Sequence, residues 1–278
     1  MEGRPVEDVL QEGVPPHIEQ PLRGWIYRAL QGGGAAAVAV LLRIQIDYAA
    51  AEGDGARFLA SLPAPDLLDV VQAILHGGGP WPEIEPWSGK PRPGSRSLLQ
   101  RDLVLLLETG RSAYKVNDDF DGLERCVDET ATAAVALAAS AAEGSPQSGS
   151  AANQLRAAWR AIYQLNPEPE TAYRLAVKAV ESAAHAIVQP THAAATLGTM
   201  RGELRSNPAR WALAIPGKDG SGDIAPLIAM IGLLWDGQEW RHGGQALERE
   251  ATPEEAKMAV HLAGTLVHWF VTGAVRKK

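Results

Sequence analysis

The residues best suited to chemistry sit together between Leu234 and Gly244, where Trp235, Asp236, Glu239, Trp240, Arg241 and His242 follow in one short run. An arginine side chain is a planar fork of donors that matches a phosphate, and a histidine gains or loses a proton near neutral pH. Arg241 beside His242 therefore reads as a phosphate clamp with a proton-transfer group, and Asp236 and Glu239 as binding residues on the same segment. The same residues also suit a helix ending. Gly243-Gly244 would stop the helix, and Arg241 and His242 would lie at its negative end. Two further histidines, His261 and His268, fall in the next helical stretch. An antiparallel return of that stretch would bring either one to the cluster as a supporting or proton-transfer group.

The other suggestive spacings fail on inspection. Gly217-Lys218-Asp219-Gly220-Ser221-Gly222 has a Gly-Lys pair, but a phosphate loop needs a glycine where Ala212 stands and Ser or Thr where Asp219 stands. It reads as a polar turn. Asp118-Asp119-Phe120-Asp121-Gly122 resembles a fragment of a calcium loop without the alternating ligand order, and reads as a solvated helix start. No HExxH, CxxC or GxSxG occurs, so no metal or other cofactor is expected. The single cysteine, Cys126, excludes an intrachain disulfide and reads as a buried structural thiol.

The elements that must position these residues are helical. Of 278 residues, 46 are alanine, and only 6% are aromatic, half of them tryptophan. Alanine loses no side-chain entropy in a helix, so this composition disfavours sheet. Periodicity and breakers predict helices at Pro21–Leu30, Ala35–Ala51, Asp66–His76, Leu98–Glu108, Gly122–Ala142, Ala151–Leu165, Thr171–Val188, Thr196–Arg205, Asp223–Trp240 and Pro253–Gly273. Gly110–Val116 reads as a short extended piece. Thr252, Pro253 and Glu255 form a capping-box signature at the last helix. The fold class is all-α, a helical N-terminal region followed by a C-terminal helical bundle. Residues 1–95 form an acidic region with a proline- and tryptophan-rich loop, 96–143 connecting helices, and 151–278 the bundle after the GSPQSGS linker.

Charge narrows the partners. The net charge is −7, against the basic balance of a protein that binds nucleic acid over its whole surface. Residues 1–150 carry 12 Lys+Arg against 21 Asp+Glu, and residues 151–278 carry 14 against 12, so an anionic ligand belongs to the C-terminal half. The loop at 80–93 reads as packed down by Trp81 and Trp87, with an exposed loop that binds a protein partner as the other reading. Met258–Val275 has no formal charge, yet His261, Thr265, His268 and Thr272 put a polar stripe down one face. That makes it a core helix and not a membrane span. The acidic N-terminus lacks an apolar secretory segment, so the expected compartment is the cytoplasm.

Three stretches carry a family resemblance: AYRLAVKAVESAAHAIVQPTHAAATLGTMRGEL (172–204), the WDGQEWRHGG turn, and TPEEAKMAVHLAGTLVHWF near the end. They resemble the helical C-terminal domain of abortive-infection-type proteins, within the HEPN superfamily of helical bundles. RSAYKVNDDFDGLERCVDET, upstream, resembles a group of actinobacterial proteins. The resemblance implies a homodimer that acts on RNA or a nucleotide in defence, and, if an enzyme, a metal-independent endoribonuclease. Catalytic members place an arginine four to six residues ahead of a histidine. Here no arginine stands five to seven positions before any of the seven histidines, and only the adjacent Arg241-His242 with Gly243 matches the His-Gly end of that motif. Weak or absent RNase activity follows. The other class of function is a non-enzymatic scaffold that dimerises and binds a protein partner.

Overall fold

The structure, a computed structural model, describes residues 10–77, 98–145, 149–216, 222–239 and 250–278, the side chains of Gln238 and Glu239 not among them. The Pro/Trp loop at 80–93, most of the Gly217–Gly222 turn and the middle of the GSPQSGS linker lie outside the described residues. Eleven α-helices and two short antiparallel strand pairs make up the described chain, an all-α protein. It divides into two compact units, Met1–Cys126 and Val127–Lys278.

The first unit contains α1 (Glu19–Leu30), α2 (Ala35–Leu42), α3 (Gly55–Ala60), α4 (Leu67–His76), α5 (Leu98–Thr109), β1 (Tyr114–Val116) and β2 (Leu123–Arg125). Its core side of α1 buries Leu22, Trp25, Ile26, Ala29 and Leu30. Long side chains tie these short helices together. Arg23 donates to the carbonyls of Ala60 and Leu62, both at 2.7 Å, which satisfies acceptors left open at the end of α3. Trp25 Nε1 donates to Leu99 O at 2.7 Å.

Four expectations need correction here. The helix expected over Ala35–Ala51 stops at Leu42, where Arg43 adopts a left-handed φ of 55°. The helix expected over Gly122–Ala142 is instead β2 followed by a helix that starts at Glu129, and the short piece before it pairs as β1. Asp118–Gly122 is the hairpin turn between them and not a helix start. Asn117 N donates to Gly122 O at 3.0 Å, and the Asn117 and Asp121 side chains close the turn. Cys126 follows β2 outside any helix and is only half-buried. Burial pushes its thiol pKa up.

The second unit contains α6 (Glu129–Glu143), α7 (Ala151–Tyr163), α8 (Pro169–Val188), α9 (Leu197–Ser206), α10 (Ala225–Glu239) and α11 (Pro253–Val271), with β3 (Trp211–Leu213) and β4 (Val275–Lys277). Helix α8 packs along α7 and α11, and α6 lies against α7 and α11. Alanines carry these interfaces: Ala172, Ala176, Ala179, Ala183 and Ala184 on α8 are all buried. Small side chains allow short interaxial distances. The starts are specified locally. Asp128 caps α6, and Thr196 and Thr252 close capping boxes with Thr199 and Glu255. Among the described residues no single helix is long and apolar enough to cross a membrane. Only α1 and α2 pass such a test jointly, and they are bent by 117° at their break. Along α11 the polar stripe is divided: Thr265 and Thr272 are exposed, while His261 and His268 are partly buried and Val260, Ala263, Leu266 and Val267 are buried.

Glycines mark the tightest approaches. A Cβ on Gly237 of α10 would sit 2.2 Å from Tyr173 Oη, which donates to Leu234 O at 2.9 Å. Nothing lies within 4 Å of a Cβ on Gly202 of α9. Gly237→Ala is expected to lose about 1–3 kcal/mol through overpacking and a displaced hydroxyl. Gly202→Ala is expected to gain about 0.5–1 kcal/mol from helix propensity. Urea unfolding of the two variants beside the parent chain checks both signs.

Candidate functional site

Of the six residues expected to form a site, Arg241 and His242 lie outside the described residues, as does the Glu239 side chain. Of the other three, Asp236 and His261 are engaged by different partners, and His268 has a buried Nδ1 with no hydrogen-bond partner among the described residues. Asp236, near the described end of α10, accepts from Arg201 Nη1 of α9 at 2.7 Å. Arg201 lies across Gly232, one turn earlier on α10, where a Cβ would come within 2.6 Å of its guanidinium. The bare glycine makes room for this cross-helix pair.

His261 lies between α11 and α7. Its Nε2 meets Tyr163 Oη at 2.7 Å, and Trp159 packs edge-on at 5.5 Å between ring centroids. Burial pushes the His261 pKa down and the Tyr163 pKa up, so both groups are neutral at physiological pH. The Nε2 edge, which a general base would present to substrate, is occupied by the phenol. His268 stands seven residues on, a rise of about 10 Å along the helix. Its Nδ1 is buried and makes no hydrogen bond within the described residues. The structure thus places Asp236 at the α9–α10 edge and His261 at the α7–α11 interface. It shows no bond among Asp236, His261 and His268, and no group of three His, Cys, Asp or Glu among the described residues could hold a metal ion.

A different feature of the same unit is cationic. Strand β4 pairs antiparallel with β3, with Trp211 opposite Lys277, Ala212 opposite Arg276 and Leu213 opposite Val275. Lys278 N donates to Arg210 O at 2.9 Å, which extends the pairing by one residue. Val275 and Trp211 are buried, and the Lys277 ammonium lies 5.3 Å from the Trp211 ring centroid. Arg210, Arg276 and Lys278 are exposed together on this ribbon. Arg210 has an acidic neighbour, Glu203, at 3.6 Å, while Arg276, Lys277 and Lys278 form no ion pair with a described residue. Like charges set side by side across a strand pair repel, and an anion at that surface relieves the repulsion.

Tyr163, Trp159 and Arg201 were not marked by any spacing in the sequence. Their partners lie 98 residues away for Tyr163 and 35 for Arg201. The closing Arg276-Lys277-Lys278 run was visible, but only its pairing with Trp211 makes it a surface. Fold and side chains together define an all-α protein of two helical units, with a cationic ribbon on the second. In comparisons with family models, curated proteins and solved structures, nothing matches the chain.

The Tyr163–His261 contact generates a pH dependence. Because the folded pKa of His261 is lowered, the unfolded chain binds the proton first as pH falls. The stability that neutral His261 contributes is complete above about pH 6.5, the ordinary histidine value, and is lost as pH falls through the folded pKa. His261→Gln should therefore flatten the decline of the urea midpoint between about pH 7 and pH 5. An unchanged slope would remove His261 from the account.

Proposed function

We propose that this protein is a HEPN-like helical RNA-binding protein, related to bacterial defence and weak or inactive as a ribonuclease. The observation that carries the reading is the exposed β3–β4 ribbon, where Arg210, Arg276 and Lys278 gather beside Trp211 and Lys277. Such a surface suits the phosphates of a nucleic-acid backbone, and it lies in the half of the chain where the charge balance favours an anion. The contact between His261 and Tyr163 supports binding over cleavage, since the phenol already meets the ring nitrogen that would act on a substrate. Arg241 and His242 are the pair to which any residual cleavage is assigned. Homodimerisation and a cytoplasmic setting belong to the same reading by family resemblance.

Binding of a fluorescent single-stranded RNA to the full chain, followed by anisotropy at several salt concentrations, tests it. Affinity should fall steeply with salt. Arg276→Ala with Lys278→Ala should weaken binding and reduce the salt slope by about 1 to 2, near 0.7 per phosphate contact on a single strand. Salt-insensitive binding, or none at low salt, would reject the reading. Any cleavage seen should vanish in Arg241→Ala with His242→Ala while RNA binding persists.

A further inference from the structure

A pocket of about 270 Å³ lies where α1, α2 and α4 of the first unit meet. Its floor is Ala29 and Leu30 of α1, Val38 of α2 and Ile74 of α4, each between 1% and 5% exposed. Its rim is exposed, and is made by the three-glycine turn at 32–34 with Ala37 and Leu41 of α2. The turn keeps the pocket open. Gly33 and Gly34 hold φ of 116° and 93°, values that glycine adopts without strain, and α1 and α2 are bent by 117° at this break. A Cβ at Gly34 would stand 3.7 Å from Leu30 Cδ2 on the floor, and one at Gly33 would meet nothing within 4 Å. A turn built without side chains therefore leaves space above the floor.

The walls and the opening define what fits. No described side chain that lines the pocket carries a hydrogen-bonding group, so a polar ligand would exchange water for aliphatic carbon. An apolar cavity of about 150 Å³ already holds a benzene ring in place of water, and this one is larger. The apolar surface also continues past the rim. Helix α2 reads Ala-Ala-Ala-Val-Ala-Val-Leu-Leu without one polar residue, and Leu41 on the rim and Val40 beside it are 47% and 76% exposed. Charge supplies the other end. Arg43, which ends α2, is exposed and forms no ion pair with a described residue. The carboxylates that follow it are committed elsewhere: Asp47 accepts from Ala49 N and Ala50 N, Glu52 pairs with Arg57, and Asp54 caps α3. Its guanidinium is thus an uncompensated cation two residues beyond the rim. Aliphatic walls with such a cation near the opening fit an anionic amphiphile, and a volume at the small end of ligand sites limits the tail to one chain of medium length.

We infer that the α1–α2–α4 pocket binds the alkyl chain of a medium-chain fatty acid, with its carboxylate outside the rim at Arg43. The site lies within the first unit and does not rest on the RNA reading of the second.

Titration calorimetry of the full chain with the even-numbered acids from hexanoate to dodecanoate tests the inference. One-site binding is expected, with affinity rising about threefold to fourfold for each added methylene and levelling off once the pocket is full. Ala37→Leu should weaken decanoate at least about tenfold, because the longer side chain takes the space of the tail. Ala36→Leu, an exposed change one residue away that does not line the pocket, should leave the affinity unchanged. Arg43→Ala should weaken octanoate about twofold to fivefold, as an exposed ion pair is worth, and leave 1-octanol unaffected. An unchanged circular dichroism melt confirms that each variant folds. Absence of saturable decanoate binding at millimolar concentration overturns the inference, as does an affinity that climbs with chain length without levelling. Equal decanoate affinity in Ala37→Leu and the parent chain does the same. Decanoate binding that emerges only in Trp81→Ala with Trp87→Ala would give the pocket to a tryptophan of this chain, and binding that fades as the protein is concentrated would give it to a second copy. Either result overturns the fatty-acid assignment.

Discussion

The second unit depends on how closely α8 can approach its neighbours. Its buried alanines at 172, 176, 179, 183 and 184 leave only a methyl group between the backbones of packed helices, and Ala256, Ala259 and Ala263 do the same on α11. A core of methyl groups buries little apolar area per residue, so its cohesion comes from dense contact and not from large side chains. Volume is supplied at a few places, by Trp211, Phe270 and the leucines of α7, α9 and α10. Polar pairs sit beside the alanine seams. Tyr163 meets His261 at the end of α7, and Arg201 meets Asp236 across a glycine on α10.

The first unit solves the same problem by other means. Its helices are short, and α3 has six residues. Hydrogen bonds from long side chains to backbone groups hold them. Arg23 reaches two carbonyls at and just past the end of α3, and Gln72 of α4 accepts from Leu123 N of β2 at 2.7 Å. Each such bond satisfies a backbone group that a short helix or a three-residue strand cannot satisfy by itself.

Helix positions in the second unit were legible because their ends are written locally. Thr252 with Glu255, Pro169, Pro253 and Thr196 each mark a start within four residues, and the alanine-rich periodicity does the rest. Strands were harder to read. Three-residue strands are too short for an alternating pattern, and the apolar spacing of α6 runs on smoothly from β2, which made Leu123–Ala142 look like one helix. The chemistry was legible only in residue type. His261 and Asp236 were marked correctly as polar groups in helices, but what each one touches is decided by partners on distant elements.

The pairing of β4 with β3 has a consequence for how the chain is made. Strand β4 is the last element, and α11 before it packs against α6, more than a hundred residues earlier. During synthesis α6, α7 and α8 emerge with their alanine faces uncovered, and the helix that closes them is still inside the ribosome. Contacts of such large sequence separation form slowly, because the loop entropy is spent before they form. The bundle of the second unit therefore closes only once α11 is available, and until then its alanine faces are apolar surface open to wrong contacts.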